Sequence, residues 1–130
     1  MDSSPPPVRT SLTRADCLGL LGEQSLARVV LSVRCLPAAL PVRVGLIDDR
    51  HLMFASSEET VLIAARRGDV LSIQIDGLEP SGATWSVLAS GIAERAPSEP
   101  ALTLPLQEAV LRGAALFVLP ISVVVGERIN

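Results

Sequence analysis

The chain has 130 residues, 48% of them apolar and 19% charged, with a formal net charge of −3 and a mean hydropathy of +0.44. That is one domain's worth of sequence with enough apolar content for a core, which excludes a disordered chain. The acidic balance and the scatter of the only rings, Phe54, Trp85 and Phe117, exclude a basic, base-stacking nucleic-acid surface.

Residues 1–10 read as a flexible arm, because Pro5, Pro6 and Pro7 forbid an early helix. Thr13 with Asp16 resembles a capping box, and a short helix is predicted over 14–22, with Gly22 as its stop. Strands are predicted at Ser25–Arg34, broken by Pro37, then at Leu40–Ile47 and, after an Asp48-Asp49 turn, at His51–Ala55. Glu58–Arg67 has a helical period and Gly68 suits its C-terminal cap. Val70–Ile75 alternates as a strand, and Asp76–Gly82 reads as a loop. Thr84–Glu94 is a long strand whose Gly91 marks a bulge or a close backbone approach. A proline-punctuated connection over Pro97–Pro105, a short helix at Leu106–Arg112 and a final strand at Leu116–Val125 complete the order. Six strands with two or three short helices suit a mainly β, antiparallel barrel occupying 11–130.

All 11 basic residues are arginine, which removes lysine Schiff-base chemistry and a Walker-type phosphate lysine. Cys17 and Cys35 match no zinc spacing and read as buried or partly buried free thiols. With His51 the only histidine, no metal site and no covalent nucleophile is predicted. No apolar run reaches the roughly 18 residues of a membrane span, and the polar start carries no apolar leader, so a cytoplasmic location is expected.

Four stretches then stand out together: Cys17–Val33 (CLGLLGEQSLARVVLSV), Ala39–Phe54 (ALPVRVGLIDDRHLMF), Thr60–Asp76 (TVLIAARRGDVLSIQID), and Trp85–Glu94 (WSVLASGIAE) with the closing Gly126–Ile129. In this order and spacing the chain resembles the pyridoxamine 5′-phosphate oxidase-like family of flavin-binding split barrels, in its compact actinobacterial branch. The resemblance implies a homodimer of six-stranded split barrels with flavin mononucleotide (FMN) in clefts between subunits; some relatives take a deazaflavin or haem. Carried onto this chain, it implies Arg43 and Val44 along the flavin ring. The phosphate side would be Phe54, Ala55, Ser56, Ser57, Thr60 and Val61, with Trp85 and Ser86 supplied by the second chain.

The chain departs from the family pattern at the phosphate. Ala55 and Val61 stand where relatives carry a basic residue and a lysine, and Glu58 and Glu59 stand where Pro-Gly is common. A phosphomonoester carries about −1.5 to −2 charges, and each lost charge-assisted bond is worth roughly 1.5–3 kcal/mol. Two such losses weaken binding by about two to four powers of ten. What remains is the Ser56, Ser57 and Thr60 hydroxyls and the amides opening the helix that follows. Restoring Val61→Lys with Ala55→Arg is expected to raise flavin affinity.

The bland readings stand beside these. Trp85 suits a core or interface, and Ser86, on the opposite face, is the better ligand candidate. Arg66 and Arg67 suit a helix end, Arg43 an outward snorkel, and His51 a solvated turn. The leading expectation is an FMN-dependent oxidoreductase with a weakened phosphate pocket. It would act on a small molecule other than pyridoxamine phosphate, since cations for a second phosphate are missing. The alternative is a non-catalytic barrel dimer that no longer binds FMN and serves in small-ligand binding or regulation. Dimerisation has its own support in the apolar content and in the run Ala115–Val125, which reads as buried on both faces.

Overall fold

A computed structural model describes residues 5–96 and 102–130. Residues 1–4 of the expected arm, and 97–101 of the expected connection, lie outside the described residues. In chain order the elements are β1 (Arg9–Ser11), α1 (Arg14–Gly22), β2 (Leu26–Val33), β3 (Leu36–Leu46), β4 (His51–Ser56), α2 (Glu59–Arg67), β5 (Val70–Leu78), β6 (Thr84–Ile92), β7 (Glu94–Arg95), α3 (Leu104–Leu111), β8 (Ala115–Pro120) and β9 (Val123–Ile129). The strands pair in the order β1-β9-β6-β5-β2-β3-β4-β8-β7, antiparallel throughout.

The six-strand expectation is corrected to nine strands among the described residues, for three physical reasons. The last predicted strand is two, because Ile121 and Ser122 interrupt the ladder between β8 and β9. The long strand at 84–94 likewise bends at Ala93 into β7. Residues 9–11, assigned mostly to the arm, pair Arg9 with Ile129 and Ser11 with Glu127 as an edge strand.

The two bends close the sheet. β6 pairs with β9 in the register Ser90–Val123, while its continuation β7 pairs with β8 in the register Glu94–Val118. The pairing therefore slips by one residue between the two ladders, as at a bulge. Gly91 sits at this corner: a Cβ there would lie 2.0 Å from the Pro120 carbonyl oxygen, so only glycine lets the strands approach. Ser122 N–H donates to Ser90 O at 2.9 Å across the same corner. Because β8 also pairs with β4, the ladder runs round to itself as an antiparallel barrel.

β3 runs through Pro37 and Pro41, where a break was expected at Pro37. β4 reaches only Arg43–Leu46 on β3, so residues 36–42 have one free edge, which a proline tolerates. The hairpin tip instead lies at Arg34 and Cys35, both with positive φ, and Cys35 is exposed rather than partly buried.

The helices cover what the strands leave open. The predicted capping box forms: Asp16 N–H donates to Thr13 Oγ1 at 3.1 Å, and Thr13 N–H to Asp16 Oδ2 at 3.3 Å. α1 contributes Cys17 and Leu21 to the barrel core, and α2 contributes Val61 and Ala64. α3 starts two residues before the predicted Leu106, with Pro105 in its first turn. It covers the outer side of the barrel, where Leu106 packs on Met53 and Ala55 as a second small core. β4 is thus buried on both faces, which explains its continuous apolar run LMFA.

Candidate functional site

The cleft between α3 and the barrel wall is built by register. Arg43 on β3 pairs with Ala55 on β4, and the chain leaves β4 at Ser56 to enter α2. Alternation sends Val42, Val44, Phe54 and Ser56 inward, and Pro41, Arg43 and Ala55 outward. The outward residues and the Ser57–Glu58 turn face Glu108, Ala109 and Arg112 of the α3 end across a cleft of about 360 Å³. That volume lies in the range of small-molecule sites.

The polar groups there are of three kinds. Arg43 and Arg112 bring two guanidiniums, and neither is ion-paired to a described residue. Glu58 and Glu108 bring two carboxylates, so the lining is charge-balanced. Ser57 is exposed, while Ser56 Oγ accepts from Glu58 N–H at 3.1 Å and keeps its own proton to donate. No side chain caps the first turn of α2, which leaves its amide N–H groups free for an anion.

The candidate residues separate into three places. Arg43, Ala55, Ser56 and Ser57 line the cleft, and Thr60 is exposed in the first turn of α2 beside it. Val44, Phe54 and Val61 turn their side chains into the barrel core with at most 1% exposed, so only their main-chain atoms can face a ligand. Val61 is therefore a core residue, and a lysine there would not reach the cleft from this rotation of α2 without leaving the core. Ala55 is roofed by α3 through Leu106. The paired restoration of Lys and Arg at these two positions accordingly loses its basis.

Trp85 and Ser86 lie on β6, away from the cleft and on opposite faces of the strand. The Trp85 indole covers Gly77, where a Cβ would fall 2.3 Å from the ring, and packs against the core. Ser86 faces outward and pairs with Asp76 and Glu127. Arg43 pairs with Leu26 on β2, and β2 pairs with β5 at Arg28–Gln74, so Ser86 shares the outer face with Arg43 three strands away. At the usual inter-strand spacing that is about 14 Å. Within one chain, Ser86 and the cleft do not meet.

Sequence reasoning missed Arg112, Glu108 and Pro105. Nothing local marks them, because they join the cleft only through the docking of α3 on β3 and β4. Gly45 is the one available signal: its missing Cβ admits Leu106 at 3.0 Å and Thr103 at 3.4 Å. The bland readings of His51 and Arg67 fit the structure. His51 Nδ1 lies 2.9 Å from Asp48 Oδ1 in the exposed turn, and the Arg50 amide beside Asp48 holds that carboxyl low. Arg67 pairs with Asp69 at 2.6 Å. Among the described residues no group of metal-ligating side chains is found, and no helix is long and apolar enough to cross a membrane.

Solved structures share this architecture. A FAD-binding protein from Mesorhizobium loti superposes with a TM-score of 0.78 at 20% identity, over 96% of this chain and 99% of that one. The FAD binding protein from Mycobacterium smegmatis gives 0.71 at 21% identity, over 95% and 100%. A FAD and heme binding protein from the same organism gives 0.65 at 16% identity, over 91% and 71%. No curated protein matches the chain. The family model described as pyridoxamine 5′-phosphate oxidase matches residues 13–112, and with the barrel topology above, the chain belongs to that family.

Proposed function

We propose that the chain is a homodimeric flavin-binding protein of oxidoreductase type, its flavin phosphate seated in the α3 cleft and its ring on the outer sheet face beyond Arg43. The observation that carries this reading is the convergence of Arg43, Arg112, the exposed Ser57 hydroxyl and the uncapped start of α2 on one cleft. That donor set suits a phosphate: guanidiniums form forked bonds to its oxygens, and a helix N-terminus favours the anion. The flavin-binding descriptions of the M. loti and M. smegmatis neighbours support the same class of ligand.

Bound flavin supplies hydride or electron transfer, and the chain supplies position and electrostatics. Arg43 and Arg112 hold the phosphate from two sides of the cleft. Ser57 and the first amides of α2 orient it. Glu58 and Glu108 oppose the same charge, so affinity is weak and the purified protein is largely colourless. The partner subunit closes the ring site by bringing its own Trp85–Ser86 strand to the exposed side.

The test is a titration of FMN, FAD and a deazaflavin, read by flavin fluorescence and absorbance. FMN or FAD binding in the micromolar range, weakened about tenfold or more by Arg43→Gln, is the expected result. Unchanged affinity in that variant removes the phosphate assignment. The second reading, a barrel dimer that has lost flavin, is favoured by the two carboxylates in the cleft, and absence of binding by any of the three cofactors establishes it.

A further inference from the structure

A second cleft, of about 550 Å³, opens where the later turns of α2 meet β7 and the start of β8. Leu62, Ala93, Ala115 and Phe117 make its floor, and Arg66 and Arg95 stand at its mouth. It differs from the first cleft in charge: two guanidiniums line it and, among the described residues, no carboxylate does. The acidic residues nearest to the two arginines in the described sequence, Asp69 after α2 and Glu94 on β7, are outside the lining.

Both cations are available. Neither Arg66 nor Arg95 is ion-paired to a described residue, whereas the adjacent Arg67 is engaged by Asp69. Arg95 is held in place from below, its guanidinium carbon 5.7 Å from the centre of the Phe117 ring. That ring is itself stacked on Phe54, centroids 5.2 Å apart. The carbonyl end of α2 is partly capped, because Gly68 and Asp69 N–H groups donate to Ala65 and Ala64.

We propose that this cleft binds a small organic oxyanion, a carboxylate or phosphate on a compact apolar body. The oxyanion sits between the Arg66 and Arg95 guanidiniums and the body rests on the Leu62–Ala93–Ala115 floor. Guanidinium forks match both oxyanions, and a mostly apolar floor with a few convergent charges is the usual composition of a small-molecule site. The proposal is independent of the flavin reading. The two clefts share no lining residue, although both draw on the 112–115 segment, Arg112 and Ala114 lining the first and Gly113 and Ala115 the second.

The probes are phenyl phosphate and benzoate, with inorganic phosphate as the bodiless comparison, titrated against the intact protein by ligand-observed NMR and calorimetry. Binding of phenyl phosphate or benzoate at millimolar concentration or tighter is expected, and the tighter of the two identifies the oxyanion. Arg66→Gln and Arg95→Gln each lower that affinity about tenfold or more, while Arg34→Gln, at the exposed β2–β3 hairpin tip and in the lining of neither cleft, leaves it unchanged. Arg66 is exposed and unpaired, so its substitution keeps the fold, which circular dichroism checks even where Arg95→Gln disturbs Phe117. Failure of both aromatic probes to bind overturns the proposal, as does equal binding by Arg66→Gln or a loss that follows Arg34→Gln instead. Equal affinity for inorganic phosphate overturns the apolar floor.

Discussion

Val61→Lys, the substitution that would supply the lysine the family resemblance implies, is expected to unfold the protein rather than improve its pocket. Val61 is fully buried in the barrel core, on the inward face of α2 beside Ala64. A lysine amine buried to that depth falls by about 3–5 pK units from its ordinary value near 10.4. At pH 7 it is held neutral in the folded state and charged in the unfolded one. At about 1.4 kcal/mol per unit, the cost is about 4–5 kcal/mol, limited by the interval between pH 7 and 10.4. Overpacking adds roughly 1–3 kcal/mol, against a total stability of about 5–15 kcal/mol for a domain of this size. The sign is fixed by linkage. The folded pKa lies below the unfolded one, so the unfolded chain binds more protons between them and stability recovers as pH rises toward 10. Urea unfolding followed by circular dichroism at pH 7 and pH 9.5, with a flavin titration on the same variant, measures both effects. A variant as stable as the parent at pH 7, with tighter flavin binding, would refute the placement of residue 61 in the core.

Two further expectations concern the frame. Gly91→Ala drives a Cβ to 2.0 Å from the Pro120 carbonyl, a backbone atom that cannot rotate away. The closure corner must open, costing about 1–3 kcal/mol or more, and the urea midpoint falls accordingly; an unchanged midpoint would mean the corner is loose. Glu79 is gripped by Arg128, with Nε and Nη2 each 2.7 Å from a carboxylate oxygen, which ties the β5–β6 turn to β9. The guanidinium holds the Glu79 carboxyl below its ordinary value, so its contribution is present above the unfolded pKa and fades as pH falls through the folded one. Arg128→Gln therefore lowers stability at neutral pH and flattens its acid dependence, as melting curves between pH 3 and 7 would register.

What was legible in the residues was whatever is decided locally. The Thr13–Asp16 box and the Gly68 stop lie within one helical turn of what they terminate, and both helices appear at their predicted places. The ladder of β5 with β6 continues to Leu78–Thr84, so part of the predicted loop is strand. Pairing across a hairpin overrides the weak propensity of Asp76 and Gly77. The breaks at Ala93 and at Ile121–Ser122 were illegible because they answer to barrel closure, a contact between β6 and β8 far apart in sequence. The same holds for the site. Arg43, Ser56 and Ser57 follow from the β3–β4 hairpin, but Arg112 enters through the docking of α3, and the inward turn of Val61 through the rotation of α2. The resemblance implies a cation at position 61 in relatives; it does not say which way this helix faces.

The proposed dimer is where the flavin reading can be taken apart. The outer face of β2, β5, β6 and β9 carries no helix, and its paired rows hold Val30, Ser72, Ser90 and Val123, then Arg28, Gln74, Leu88 and Val125. Val123 and Val125 are more than half exposed, and the Ser72 and Ser90 hydroxyls bond each other at 2.7 Å, so these rows offer a flat, weakly polar surface. A second copy of the chain suits it, since an isologous contact needs one patch complementary to itself. A stable interface of standard size covers about 800 Å² per partner, and a carboxylate left unpaired at its centre costs several kcal/mol. If the chain dimerises through this face as proposed, Leu88→Glu is expected to convert that dimer to a folded monomer, read by sedimentation or light scattering. Flavin affinity is then measured on that monomer. If it collapses while the Arg43 phosphate contacts remain intact, the partner's strand completes the ring site. If it survives unchanged, the cleft under α3 is sufficient alone, and Trp85 and Ser86 revert to core and surface residues.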